Sequence, residues 1–84
     1  MTDELLWPRL EAVIMGVVGE AALINRATRA QDVPGWNSHA MVEVILGTEE
    51  AFGFQMSSLD MESIDGVEAL LAVVRRYTHE AVAR

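Results

Sequence analysis

Apolar residues recur with helical spacing in three segments of this 84-residue chain. In the first segment, residues at intervals of three and four share one face of a helix: Leu10, Val13, Ile14, Val17 and Val18. Pro8 suits either the start of this helix or a kink in an earlier turn, and Gly19 suits its end. The pattern therefore predicts a first amphipathic helix that ends near residue 19.

The second helix is predicted to begin at Ser38 and to run to about Phe52, where Gly53 provides a stop signal. Asn37 is a strong N-cap candidate, because its side-chain oxygen can accept from the free amides of the first turn. The residues expected to form the buried stripe of this helix are Met41, Val42, Ile45, Leu46 and Phe52.

The last helix has a start signal, since Asp65 and Glu68 have the spacing of a capping box. Its apolar positions repeat at three, four and seven residues: Val67, Leu70, Leu71, Val74 and Tyr77. Cations favour the C-terminal end of a helix, and three arginines lie toward that end: Arg75, Arg76 and Arg84. Between residues 53 and 65 the sequence predicts a short helical turn around residues 60–63.

Residues 19–36 show no clear period and contain the turn signature Pro34-Gly35. This is a long connection for a small domain, and long connections are often functional. Leu23, Ile24 and Trp36 are expected to anchor it to the core. No alternating strand pattern of useful length is present, so residues 1–84 are predicted to form one all-α domain. Its predicted architecture is a small four-helix bundle, with three main helices, one short helix and a long first loop.

Composition narrows the classes of function. The chain has no cysteine, which excludes disulfides, thiolate zinc sites and iron–sulfur clusters. The chain carries a net charge of −7, so nucleic acid would repel it and basic protein surfaces would attract it. Alternatively, the charge serves only to keep the domain soluble. No apolar run approaches a membrane span and the N-terminal segment is acidic, unlike a signal peptide. We therefore expect a cytoplasmic protein, monomeric and without a membrane span.

Ser38 is the residue with the greatest chemical interest, because the first turn of a helix offers unpaired N–H groups that favour a phosphate. It could also be only a second cap. Catalysis by Ser38 would need a base, but His39 diverges from it on a helix and His79 lies on another helix. No metal site is predicted, because the acidic residues follow no recognised ligand spacing: Glu43, Glu49, Glu50, Asp60 and Glu62.

The stretch GWNSHAMVEVILGTEEAFGFQM resembles the central segment of acyl carrier proteins. In that family a serine opens the second helix, and a hydrophobic segment, a Glu-Glu pair and Phe-Gly follow. The matching elements are Ser38, residues 42–46, residues 49–50 and residues 52–54. The stretch IDGVEALLAVV is similar to the start of the family's last helix, so the resemblance covers roughly residues 33–76.

The resemblance implies a non-enzymatic four-helix carrier whose Ser38 bears 4′-phosphopantetheine from coenzyme A. Such proteins tether acyl groups as thioesters for fatty-acid, polyketide or specialised lipid biosynthesis. The implied partners are a phosphopantetheinyl transferase and acyl-transferring or condensing enzymes with basic docking patches. The residues implied to contact these partners flank Ser38 or lie on the second helix: Asn37, His39, Glu43, Glu49 and Glu50.

Family members are thought to hide the acyl tail between their helices. The residues implied to line such a pocket are Val44, Leu46, Thr48, Phe54, Met56, Ile64, Val67 and Leu70. Thr48 would place a hydroxyl in that lining and thereby shorten the pocket or favour an oxygenated acyl group.

The segment departs from the family at Asn37, where Asp is usual, and at His39, where Leu is usual. Two alternatives therefore stay open beside the acyl carrier. One is an aminoacyl or peptidyl carrier, and the other is an unmodified acidic interaction module with a carrier-like fold.

Overall fold

The computed structural model describes residues 3–19 and 24–82, of which residue 3 and residues 79–82 are described by their backbone alone. The helices are α1 (Asp3–Val18), α2 (Ser38–Phe52), α3 (Ser58–Ser63) and α4 (Val67–Val82). One turn of 3-10 helix, Ala30–Asp32, lies in the connection between α1 and α2. The predicted all-α bundle with a long first loop is confirmed for the described part of the chain. Leu23 and Arg84 lie outside that part.

Helix α1 begins earlier than its apolar pattern indicates, so that Pro8 lies inside it. Of the predicted stripe, Leu10 and Ile14 are fully buried and the three valines are partly buried. Leu6, one turn before Leu10, is also fully buried. Gly19 ends the helix with a φ of 102°, a conformation that favours glycine.

Helix α2 begins and ends where local signals predict. The side chain of Asn37 accepts a 2.9 Å hydrogen bond from the amide of Ala40, as an N-cap does. Gly53 adopts the left-handed conformation at φ 74°, and its N–H donates to the carbonyl of Glu49 at 2.8 Å. This geometry is a typical glycine C-cap.

The predicted buried stripe of α2 is wrong for two residues. Val42 and Leu46 are 55% and 57% exposed, whereas the residues that are buried are Ala40, Val44, Ile45 and Thr48. Apolar side chains occur on most sides of α2, but α1 and α4 cover only one side of it. A Cβ at Gly47 would lie 2.9 Å from the Val13 side chain, so the approach of α1 selects the buried side.

Helix α4 begins at Val67, one residue later than the predicted capping box requires. The Gly66 carbonyl accepts the first helical bond, from Leu70, and the carboxylate of Asp65 accepts from Arg29 at 3.2 Å. The amide of Val67 donates to the carbonyl of Thr28 at 2.9 Å. The first loop therefore satisfies the start of α4, a role that the predicted capping box gave to Asp65 and Glu68 together.

The first loop is fastened to the bundle at both of its described ends. Arg29 and Gly66 form an isolated antiparallel bridge, and the amide of Ala30 donates to the carbonyl of Asp65 at 2.9 Å. Ile24 packs against the core and Trp36 is buried in it, which confirms both as anchors. The 3-10 turn consequently lies beside the segment that joins α3 to α4.

Helix α3 is confirmed as a short helix, two residues longer than predicted, and it buries none of its own residues. Asp60 holds it to α4, since its carboxylate accepts from Arg76 and, at 2.7 Å, from the hydroxyl of Tyr77. The Tyr77 ring stacks on Phe54, with centroids 4.5 Å apart. The hydrogen bonds from Arg76, and then from Tyr77, lower the pKa of Asp60 to about 2.

Candidate functional site

Ser38 is the first residue of α2 and is exposed. Asn37 forms the cap just before it, so the serine itself is left outside the capping interaction. The first turn of a helix presents amides without intrahelical partners and carries the positive end of the dipole. An anionic group on the Ser38 oxygen would therefore be stabilised at this position.

An open groove of about 470 Å³ lies beside Ser38. Its walls come from the 3-10 turn, from the start of α2 and from the segment before α4, and include Gln31, Ser38 and Asp65. Trp36, Met41 and Ile64 supply apolar surface. We refer to it as the Trp36 groove. Its volume is within the roughly 300–1,000 Å³ that is common for small-molecule sites.

Trp36, one of the residues that line this groove, has an unusual feature. Its side chain is 5% exposed, and its Nε1 is buried without a hydrogen-bond partner among the described residues. A buried donor left unpaired costs about 1–3 kcal/mol. The sequence predicts Trp36 only as an anchor of the loop, and no local signal indicates an unpaired donor. A bound group with an acceptor oxygen would remove this cost.

The three glutamates of α2 differ in exposure and in their hydrogen bonds. Glu43 and Glu50 are exposed, and the carboxylate of Glu43 lies 2.8 Å from Nε2 of the exposed His39. Glu49 is partly buried, and its Oε2 accepts a 2.6 Å hydrogen bond from the amide of Met56. Glu49 therefore differs from the two exposed glutamates, because the chain after α2 folds back onto it.

The exposed face of α2 also carries apolar side chains. Ser38, Val42 and Leu46 are spaced by four residues and are all exposed, so they lie along one side of the helix. Glu43 and Glu50 are adjacent to this row on the helix surface. Sequence reasoning missed this mixed apolar and acidic surface because it assigned Val42 and Leu46 to the core.

Seven of the eight residues implied to line an acyl pocket lie in or against the core. Four are fully buried and two are nearly so: Val44, Thr48, Val67, Leu70, Met56 and Ile64. Phe54 packs partly buried against them. Leu46 lies on the exposed side of α2 and is not brought together with the others. Ile64 belongs both to this core and to the Trp36 groove.

Among the helices of the described residues, none has the length and apolar character needed to cross a membrane. No family model, no curated protein and no solved structure matches this chain.

Proposed function

We propose that the protein is an acyl carrier, acting as a cytoplasmic monomer, that holds acyl groups as thioesters on a 4′-phosphopantetheine arm attached to Ser38. The observation that carries this proposal is the position of Ser38, exposed at the first residue of α2, outside the cap and on the wall of a groove. The arm supplies the thiol that the chain, without cysteine, lacks.

The residues around Ser38 suit such an attachment. Asn37 caps the helix through its amide oxygen, so the Ser38 hydroxyl is left available to a transferase. The helix dipole and the N–H groups of the first turn favour the negative charge of a phosphodiester there. The unpaired Nε1 of Trp36 supports the same interpretation, because the arm contains amide carbonyls that can accept a hydrogen bond.

The exposed face of α2 is the proposed docking surface for partner enzymes. Glu43 and Glu50 offer negative charge to a basic patch, and Val42 and Leu46 offer apolar contact beside them. Electrostatic complementarity of this kind chiefly speeds association. Glu49 is left out of this surface, because its carboxylate is held by the amide of Met56.

The core between α2, α3 and α4 is the proposed shelter for an acyl tail. Burial of each methylene contributes about 0.8 kcal/mol at most, before the cost of opening a packed core. Helix α3 has no fully buried residue, and Met61 is its one apolar side chain that packs partly buried against the core. Moving this helix would therefore expose little apolar surface. An octanoyl-loaded protein should therefore melt at a higher temperature than an acetyl-loaded one, and equal melting temperatures would remove this shelter from the proposal.

The decisive experiment is intact-protein mass spectrometry after incubation with coenzyme A and a broad-specificity phosphopantetheinyl transferase. We expect one added phosphopantetheine group in the wild type and none in Ser38→Ala. Ser58 provides a matched control, since it is also the exposed first residue of a helix behind an N-cap. Ser58→Ala should be modified like the wild type.

The second candidate is an unmodified acidic interaction module, which is favoured by Asn37 and by the pairing of His39 with Glu43. A wild type that stays unmodified with several transferases, and an Asn37→Asp variant that also stays unmodified, would establish this candidate and reject the carrier. If the missing charge at residue 37 only slows the transferase, Asn37→Asp should be modified faster than the wild type. An aminoacyl or peptidyl cargo would appear as its own mass on protein isolated from its native host.

A further inference from the structure

The Trp36 groove lies where a group attached to Ser38 would begin. Ser38 is part of its wall, and the groove extends from the start of α2 to the segment before α4. The 3-10 turn also lines the groove, and hydrogen bonds between the loop and residues 65–67 hold that turn in place. The groove is therefore built by three separate segments of the chain around the candidate attachment residue.

The chemistry of the groove is mixed in a way that matches a pantetheine arm. The arm alternates methyl and methylene groups with two amides. Apolar surface for the methyl and methylene groups comes from Trp36, Met41 and Ile64. Amide groups at the same groove belong to Gln31 and Asn37. Trp36 also carries a buried donor, its Nε1, which has no acceptor among the described residues.

We infer that the 4′-phosphopantetheine arm of Ser38 lies in the Trp36 groove, with the indole N–H of Trp36 donating to a carbonyl oxygen of the arm. This inference depends on the proposed modification of Ser38 and assigns Trp36 as the residue that positions the arm. Ile64 lies at both the groove and the core, so an arm in the groove ends next to the proposed shelter of the acyl tail.

The test follows the Trp36 indole by ¹⁵N NMR in unmodified and modified wild-type protein. Trp7 carries the other indole of the chain, and a Trp7→Phe variant assigns the two signals. On modification, the Trp36 indole resonance should shift, and its hydrogen exchange should slow about fivefold, as expected for one ordinary hydrogen bond. A modified protein with an unchanged Trp36 signal and exchange rate would overturn the inference.

A second readout follows the thiol at the end of the arm. A positioned thiol should react more slowly with iodoacetamide than a freely moving one, so Trp36→Phe should speed alkylation, whereas Trp7→Phe on α1 should not. Equal rates in folded Trp36→Phe and wild type would contradict the inference. The NMR measurement uses the wild-type chain and so does not depend on the folding of this variant.

Failure of the inference and failure of the proposed function give different results. If mass spectrometry shows no added group on Ser38, the proposed function is rejected and the inference falls with it. If the group is added while Trp36 and the thiol behave as unrestrained, the carrier function stands and only the position of the arm is rejected.

Discussion

The hydroxyl of Thr48 donates a 2.7 Å hydrogen bond to the backbone carbonyl of Val44, one turn earlier in α2. Thr48 is fully buried, and this bond removes the penalty that an unpaired hydroxyl would carry there. The polar group that Thr48 adds to the apolar lining is thus satisfied by a hydrogen bond within α2. The hydroxyl needs no acceptor from an acyl chain.

The Thr48 position should tolerate loss of its hydroxyl but not extra volume. In Thr48→Val the Val44 carbonyl keeps its backbone bond in the helix, so we expect unfolding free energies within about 1 kcal/mol of the wild type. Thr48→Leu forces added volume into a filled site and should cost about 1–3 kcal/mol. Urea denaturation measures both, and a larger loss in Thr48→Val than in Thr48→Leu would contradict this account.

Two adjacent glutamates should differ in their effect on stability. Glu49→Ala removes the acceptor of the Met56 amide and should cost about 1.5–3 kcal/mol, as is usual for a hydrogen bond to a charged group. Glu50→Ala changes an exposed side chain and should stay within about 0.5 kcal/mol of the wild type. Thermal and urea denaturation of the pair test this difference, which would be refuted by equal stabilities.

The docking surface on α2 should respond to charge reversal. Glu43→Lys and Glu50→Lys should slow association with a cognate enzyme, and added salt should weaken the wild-type complex, because exposed charges are screened over about 10 Å at 0.1 M. Glu62→Lys, exposed on α3, changes the net charge equally and serves as the control. Surface plasmon resonance gives the rates. Equal slowing by all three variants would indicate a net-charge effect and no docking through α2.

Gly66 should be intolerant of any side chain. A Cβ at this position would lie 2.7 Å from the carbonyl oxygen of Thr28 and 2.8 Å from the Cα of Arg29, and both belong to backbone that cannot move alone. Gly66→Ala should therefore lower the melting temperature and loosen the loop that forms the Trp36 groove.

The matched control for this position is Gly16→Ala. A Cβ at Gly16, inside α1, meets nothing within 4 Å. Because alanine favours a helix over glycine, Gly16→Ala should raise stability by about 0.5–1 kcal/mol. Thermal denaturation should show a lower melting temperature for Gly66→Ala and a higher one for Gly16→Ala. A stabilised Gly66→Ala would contradict the close approach of the loop.

Acid should weaken the attachment of α3 through Asp60. Its pKa falls from 3.8 to about 2 in the folded protein, chiefly because Arg76 donates to the carboxylate. Ionised Asp60 therefore stabilises the fold fully above about pH 4, and this contribution is lost as the pH falls toward 2.

The variant Asp60→Asn lacks the titrating group and should lose less stability than the wild type over the same pH range. Glu62→Gln, on the same short helix, should keep the wild-type pH dependence. Urea midpoints measured from pH 5 to pH 2 test both variants. If the urea midpoint of Asp60→Asn fell with pH as steeply as that of the wild type, other carboxylates would be the cause of the acid sensitivity.

Several features of this protein could be predicted from the sequence because they depend on neighbours within one or two turns. The N-cap at Asn37 and the left-handed Gly53 define α2 through hydrogen bonds to residues three and four positions away. Gly19 ends α1 in the same local way. Ser38 directly follows this cap and is exposed, and its candidate role as an attachment residue comes from the resemblance of its flanking sequence to acyl carrier proteins.

The remaining features were decided by packing between distant segments. Apolar residues lie around most of α2, and only the approach of α1 and α4 leaves Val42 and Leu46 outside and Thr48 inside. The chain's return after α2 binds Glu49 to Met56. The Trp36 groove joins residues 30–41 to residues 64–65. Contacts of this kind depend on which helix faces meet. The local periodicity of the sequence shows which face of each helix is apolar, but it does not show which other helix that face packs against.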